Sequence, residues 1–300
     1  MMILILTNSL DTTTDIIIER IGSHKAFRFN LDLYKSYNCC ITQDTFIISD
    51  LTGRTITETT TNKLYIRKPT HNTELAGDGG SSEHYAREQL AYILQEIYNI
   101  MYAKNKICLI EKSAERRFGK IMQMRLAEKF FAVPQWQIFW GHNAKLSSLA
   151  SPTVVKTLTH SFTGDYKILF TKSVDPAQLN PQYPWFIQEQ VIAEYDVTVA
   201  YVDGEIFAYR LNRDSFDGTD WRQHIYSQEL HWEHFKLSSI DEQSIDSFMQ
   251  SAQLKFGRLD FLMRENKLYF LEVNPNGQWA WLDINEDTGL FSAVINQLNL

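Results

Sequence analysis

Apolar residues along this chain fall into short runs with two periods, one near two residues and one between three and four, and their order outlines the fold. Met2–Thr7 reads as a first buried strand, residues 11–21 as a helix and Ala26–Asn30 as a second strand, the rhythm of a βαβ crossover. Strand-like alternation continues through Phe46–Asp50 and 63–67. In 83–102 the apolar residues Leu90, Ile93, Leu94, Ile97 and Met101 recur at helical spacing and mark a buried face. The chain therefore opens with an α/β unit.

A second unit begins near Ser113. Residues 113–131 read as a helix with basic Arg116, Arg117 and Lys120, ending before Val133 and Pro134. A short strand at 154–156 (VVK), a polar loop at 157–166 and a strand at 167–170 follow, then an apolar strand at 185–191 (WFIQEQV). Residues 196–201 and 205–211 form a hairpin around Asp203-Gly204, a strong turn signal. A helix over 241–255 leads to a last hairpin, 256–263 and 268–273, joined by the polar turn 264–267.

Composition narrows the class. Three hundred residues suffice for two or three modules and a sizeable core, and 44% hydrophobic with 22% charged residues is ordinary for a soluble globular enzyme. A net charge of −7 without a basic tract argues against a nucleic-acid binder. No apolar run approaches the ~20 residues of a membrane-spanning helix. The apolar N-terminus lacks a basic start and a cleavage site, so it reads as a strand and not as a signal peptide. Cys39, Cys40 and Cys108 have neither CxxC spacing nor a histidine cluster beside them, which speaks against disulfides and zinc and makes the reducing cytoplasm the expected compartment.

Candidate chemistry concentrates in 256–283 (FGRLDFLMRENKLYFLEVNPNGQWAWLD). Glu272 and Asn274 share one face of their strand, and if that face pairs with the one carrying Asp260, two carboxylates and an amide oxygen converge. Such an oxygen-only set suits Mg²⁺ held against nucleotide phosphates; taken alone, the spacing also fits a surface hairpin with scattered acids. Lys156, ending a strand before a polar loop, suits a phosphate cover and equally a solvated hairpin. The run 77–82 (GDGGSS) lacks the arrangement of a phosphate-binding loop and reads as a plain mobile loop. His71, His84, His224, His231 and His234 are scattered, and no Ser/His/Asp or Cys/His set stands out.

The order of these pieces, a basic helix, Pro134, VVK, a polar loop, FIQEQV, a DV strand, the tripeptide DWR at 220–222 and then D…ExN, resembles the ATP-grasp ligases from Lys120 through Trp281. The opening ILTNSLDTTTD, the YIRKP segment ending at Pro69, DWR and LEVNPNGQWAWLD resemble more closely the microviridin-type (graspetide) peptide maturases. The resemblance implies an α/β fold of the α+β ATP-grasp kind. A Rossmann-like pre-ATP-grasp domain (1–112) would precede a central lobe (113–185) and a C-terminal lobe with the metal site (186–300), the two lobes clamping ATP. It further implies that Lys156 and Lys120 contact ATP phosphates, with Arg117 an alternative to Lys120. Gln188, Glu189, Gln190 and Val191 would form the adenine hinge, and Asp196 would serve the ribose. Arg222 would meet the γ-phosphate and the acyl phosphate, while Asp260, Glu272 and Asn274 would hold Mg²⁺, two ions in such enzymes. Thr198 stands where many relatives carry arginine, and Arg210 or Arg213 would substitute.

The activity so implied is ATP-dependent phosphorylation of Asp or Glu side chains in a ribosomally made precursor peptide. Closure by Ser, Thr or Lys then gives lactones or lactams. The implied partner is a peptide with a leader and a core rich in acids and hydroxyls, bound by a homodimer. The aromatic run 135–142, with Trp136, Phe139 and Trp140, reads either as a leader-binding surface or as core packing. Alternative functions are an amino-acid or glutamate ligase acting on a protein tail or small acid, and a nucleotide-binding module without turnover.

Overall fold

The computed structural model describes residues 2–69, 81–112, 114–141, 149, 152–158, 171–224 and 229–299. Its backbone groups into two compact units, one formed by Met1–Glu115, Leu254–Phe256 and Pro275–Leu300, the other by Arg116–Gln253 and Gly257–Asn274. Pro275–Leu300 thus groups with the residues of the N-terminus.

In the first unit a parallel sheet runs in the order Ala26–Asn30, Met2–Thr7, Thr61–Ile66, Ile107–Cys108. The helix Thr12–Ile21 makes the first crossover, starting one residue later than the pattern indicates because Asp11 is its N-cap. The segment Phe46–Asp50 is not part of this sheet. It forms a three-stranded antiparallel sheet with Tyr37–Ile41 and Thr55–Thr57. Phe46 and Ile48 from that sheet join Leu4, Leu6, Phe27, Leu64 and the helix residues Leu94, Ile97 and Met101 in one buried core. The long helix is Ser81–Ala103, so Ser81 and Ser82 of the glycine-rich run open a helix, while 77–80 lie outside the described residues.

The returning C-terminal segment fits this unit by specific contacts. Buried Asp283 accepts hydrogen bonds from Thr288 N and Phe291 N, each at 3.0 Å, fixing the start of the helix Leu290–Asn299. Lys63 Nζ donates to the Gln297 carbonyl at 2.6 Å near its end, where a cation suits the helix dipole. Trp279 is fully buried, with its ring centroid 4.7 Å from that of Phe291.

The second unit holds two antiparallel sheets. One runs Lys172–Ser173, Thr153–Lys156, Trp185–Glu189, Trp136–Phe139; the other runs Glu233–His234, Glu205–Asn212, Tyr195–Val202, Phe256–Arg264, Lys267–Asn274. Both hairpin turns of the larger sheet use left-handed backbone, at Asp203 and Gly204 and again at Glu265 and Asn266, the conformation that matches the strands' twist. The helix Ser239–Ser251 is capped by Ser238 and contributes Phe248 to an aromatic core with Phe118, Phe131, Phe261 and Phe270.

The single basic helix expected over 113–131 is two helices, Ala114–Arg117 and Lys120–Ala127. Phe118 turns inward against Phe248, and Gly119 is extended, so a new helix starts at Lys120. The strand expected at 167–170 and most of the loop 157–166 lie outside the described residues.

Candidate functional site

The site starts from the last hairpin. Asp260 stands directly across from Glu272, and Arg258 across from Asn274. Strand alternation alone would put Phe270 and Glu272 on one face, since they are two residues apart. The register prevents this: Phe261 pairs with Phe270 while Asp260 pairs with Glu272, so Leu271 is an extra residue, a β-bulge. A shift of one residue exchanges the two faces of a strand. Phe270 therefore enters the fully buried aromatic core, and Glu272 joins Asp260 and Asn274 at partly exposed positions.

Val273, between the two candidate ligands, is held at both backbone polar groups by one side chain. Gln123, from the Lys120–Ala127 helix, donates to the Val273 carbonyl at 2.9 Å and accepts from Val273 N at 3.0 Å, and it also donates to the Phe118 carbonyl at 2.9 Å. Gly257 permits close packing here, because a Cβ there would lie 2.9 Å from Val273 Cγ2 and 3.0 Å from Met249 Cε. A polar residue inside a short helix carries no sequence signal for this role, and Gln123 escapes the sequence reading.

Cations surround the acids. Lys120 Nζ lies 3.4 Å from Glu272 and donates to the Thr157 carbonyl at 2.8 Å. Burial pushes the Glu272 carboxyl up, yet the charges of Lys120, Lys156, Arg222 and Arg258 outweigh it and hold the group well below the usual carboxylate range. Asp260 accepts from Thr198 Oγ1 at 2.9 Å and from Arg258 Nη2 at 2.9 Å. Thr198 is thus a hydroxyl donor to a candidate ligand, and the arginine beside that carboxylate comes from residue 258, two positions before Asp260 on the same strand face. Period-two spacing in FGRLDF is the signal that would have found it.

Lys156 donates to the buried Gln188 side chain at 2.7 Å. Burial, with Lys120 and Arg222 adding to it and Glu272 opposing, pulls its ammonium down to about 8. Arg222 is gripped in a fork by Asp220, Nε to Oδ1 and Nη2 to Oδ2 both at 2.8 Å, while Thr171 N donates to Asp220 at 3.0 Å. The pairing outweighs burial and keeps the guanidinium charged; Asp220 is lowered in turn, against its own burial, by Arg222 and the backbone donors.

Asp196 is bound by Arg213 Nη1 at 2.5 Å, and burial, only partly offset by that arginine, pushes its carboxyl up to about 6. Arg210 is engaged elsewhere: it pairs with Glu233 on the neighbouring edge strand and lies over the rings of Tyr195 and Phe235. At the expected hinge, Glu189 N and Gln190 N donate to the carbonyls of Gln135 (2.8 Å) and Pro152 (2.9 Å), so these two amides are already used by the fold. Phe139 is buried and Trp136 half-buried against Phe186, whereas Trp140 is 66% exposed. Among the described residues no three His, Cys, Asp or Glu side chains are placed to hold a metal ion together, so a metal here would rest on two carboxylates and the Asn274 amide. No described helix is long and apolar enough to cross a membrane.

No protein-family model matches the chain, and no curated protein matches it in sequence. Solved structures do match in shape. The macrocyclase MdnC of Microcystis aeruginosa, bound with its precursor peptide MdnA, superimposes with a TM-score of 0.82 at 21% identity, over 100% of this chain and 99% of its own. A RiPP-associated ATP-grasp ligase of Chryseobacterium gregarium, in complex with ADP and a leader and core peptide, gives 0.82 at 19% identity over 99% and 96%. The D-alanine–D-alanine ligase of Bacillus anthracis, complexed with ATP, gives 0.56 at 11% identity over 99% and 95%. Over its described residues this chain has the ATP-grasp fold.

Proposed function

We propose that the protein is an ADP-forming ligase that activates Asp or Glu side chains of a precursor peptide and closes ester or amide rings. The observation that carries this reading is the convergence of Lys120, Lys156, Arg222 and Arg258 on a face bearing Asp260, Glu272 and Asn274. Several cations around hard oxygen donors are what a polyphosphate with its metal requires, and no protein nucleophile is needed.

Lys156 and Lys120 hold the phosphates of ATP, the adenine edge meets the Gln190 carbonyl and Val191 beside the Gln188 and Glu189 positions, and Asp196 takes the ribose hydroxyls with Arg213 behind it. Asp260, Glu272 and Asn274 suit Mg²⁺ as oxygen ligands, and the two ions implied by the resemblance would supply charge neutralisation at the β- and γ-phosphates. A peptide carboxylate oxygen bonds to the γ-phosphorus as ADP leaves. Arg222, already aligned by Asp220, offers its remaining donors to the transferring group, where charge spreads over three oxygens. A hydroxyl or amine then displaces phosphate from the acyl carbon.

The partner in this proposal carries a leader segment as well as the core, and exposed Trp140 is the contact it would use. Adjacent exposed thiols at Cys39 and Cys40 favour the cytoplasm, and the active form is proposed as a homodimer. Incubation with ATP, Mg²⁺ and short peptides encoded beside the gene tests the reading by mass spectrometry. Loss of one water per ring with matching ADP is the expected result. Addition of an amino-acid mass would replace it with tail ligation, and no ADP at all would refute ligation.

A further inference from the structure

Tyr37–Ile41, with the sequence YNCCI, is an outer strand of the three-stranded sheet in the first unit. It pairs antiparallel with Phe46–Asp50, Cys40 opposite Ile47 and Cys39 opposite Ile48. At the turn between them, Thr42 N donates to the Thr45 carbonyl at 2.9 Å. Bonded and non-bonded pairs alternate along such a ladder, so Cys40 bonds Ile47 and Asn38 bonds Ser49. The far side of Phe46–Asp50 agrees. Glu58 N donates to the Phe46 carbonyl and Asp50 N to the Arg54 carbonyl, which leaves Ile47 and Ser49 for Tyr37–Ile41.

The backbone groups of Tyr37, Cys39 and Ile41 therefore point the other way, to the open edge of the sheet. Tyr37 N is taken by the Tyr34 carbonyl. The N–H and C=O groups of Cys39 and Ile41 meet no partner among the described residues. The side chains tell the same story. Cys39 and Ile41 lie on the face of Ile48 and Phe46, which are fully buried, yet both are exposed. Open edges are ordinarily guarded by a charge, a proline or a bulge, and Tyr37–Ile41 has none of the three.

We propose that this edge pairs with the same strand of a second copy of the chain, antiparallel, with the two-fold axis at Cys39. The inference stands apart from the ligase reading and gives the proposed homodimer its interface. A two-fold axis sets a strand antiparallel to itself, and Cys39 is the middle of this one. In that register each Cys39 N–H donates to the other copy's Cys39 carbonyl, and each Ile41 N–H donates to the other copy's Tyr37 carbonyl. Both orphaned amides are met, and Tyr37 N, already committed, is the one donor left out. Exposed Lys35, before the strand, and exposed Asp44, after it, come from opposite copies to the same end of the ladder with opposite charge. The strand itself is uncharged in a protein of net charge −7, so the pairing brings no like charges face to face. The core face of each sheet then continues through Cys39 and Ile41 into its partner.

Sedimentation of the full-length protein over a wide concentration range, with urea unfolding as the check on folding, tests the interface. The unaltered protein is expected to be a dimer. Ile41→Pro removes an outward N–H and leaves the ladder to Phe46–Asp50 intact, so it is expected to unfold cooperatively and to weaken the dimer at least about tenfold, two hydrogen bonds being lost across the axis. Cys39→Lys, which sets two ammonium groups opposite each other, is expected to do the same. Residues facing across a bonded pair have Cα atoms about 5.5 Å apart, within disulfide range. Copper-catalysed air oxidation is therefore expected to link two chains in the unaltered protein and in Cys40→Ser, and not in Cys39→Ser. A monomer at every concentration overturns the inference, including one that instead takes up the precursor peptide at this edge. A dimer indifferent to both Ile41→Pro and Cys39→Lys overturns it too, as does a cross-link that needs Cys40 and not Cys39.

Discussion

Replacing Lys156 by methionine should stabilise the protein at neutral pH while weakening ATP binding. Burial lowers the ammonium's pKa from an ordinary value near 10.4 to about 8. For a base, that direction means the folded state disfavours the charge, so the penalty is fully present below about 8 and disappears as pH rises through 10.4. At about 1.36 kcal/mol per pH unit, the penalty is about 3 kcal/mol at pH 7. Against this, methionine leaves the Gln188 oxygen without the 2.7 Å hydrogen bond from Lys156, at about 1–2 kcal/mol. The net effect is a gain of about 1–2 kcal/mol at pH 7 that reverses to a loss of similar size above pH ~10. Urea unfolding of both proteins without nucleotide, from pH 7 to 10.5, measures it. Calorimetric ATP titrations near pH 8.5 complete the test, since the unaltered protein should take up a proton on binding ATP and the variant should not. A stability difference that keeps one sign across the range, or equal proton uptake by both proteins, would refute the burial argument for Lys156.

Other outcomes follow from the same geometry. Asp260→Ala and Asn274→Ala should each abolish ADP formation while the unfolding transition stays cooperative; normal turnover by either would show that the hairpin is not the metal face. Arg222→Ala should bind ATP within a few-fold of the unaltered protein yet yield no product, because the forked contact serves the transferring phosphoryl group more than bound ATP, and equilibrium binding beside product assays separates the two. Gln123→Leu should cost about 3–5 kcal/mol, since it removes three hydrogen bonds and strands both backbone groups of Val273, and urea unfolding would reveal a smaller loss if the clamp were dispensable.

Much of the architecture was readable because it rests on local periodicity. The βαβ opening, the Asp203-Gly204 hairpin and the last hairpin follow from alternation bounded by turn residues, and Asp260 does face Glu272. What escaped depends on partners distant in sequence. Leu271 reads as an ordinary strand residue, and only the pairing of Phe261 with Phe270 turns it into the bulge that aims Glu272. The break at Phe118-Gly119 is decided by the fit of Phe118 against Phe248, which outweighs the helical pattern of the basic residues around it. Gln123 and Arg67 look like surface polar residues, and each becomes buried because it satisfies backbone oxygens far along the chain. Arg210 stood in the sequence as one substitute for the arginine absent at Thr198, and the short edge strand Glu233–His234, invisible as a pattern, supplies its counter-ion.

Carboxylate activation by phosphoryl transfer is the centre of the proposed chemistry, and isotope transfer addresses it without intermediates having to be isolated. A precursor peptide labelled with ¹⁸O in its core carboxylates, incubated with ATP, Mg²⁺ and the protein, should give inorganic phosphate carrying one ¹⁸O for each ring closed. Ring closure with unlabelled phosphate, the isotope staying wholly in peptide and water, would contradict the account.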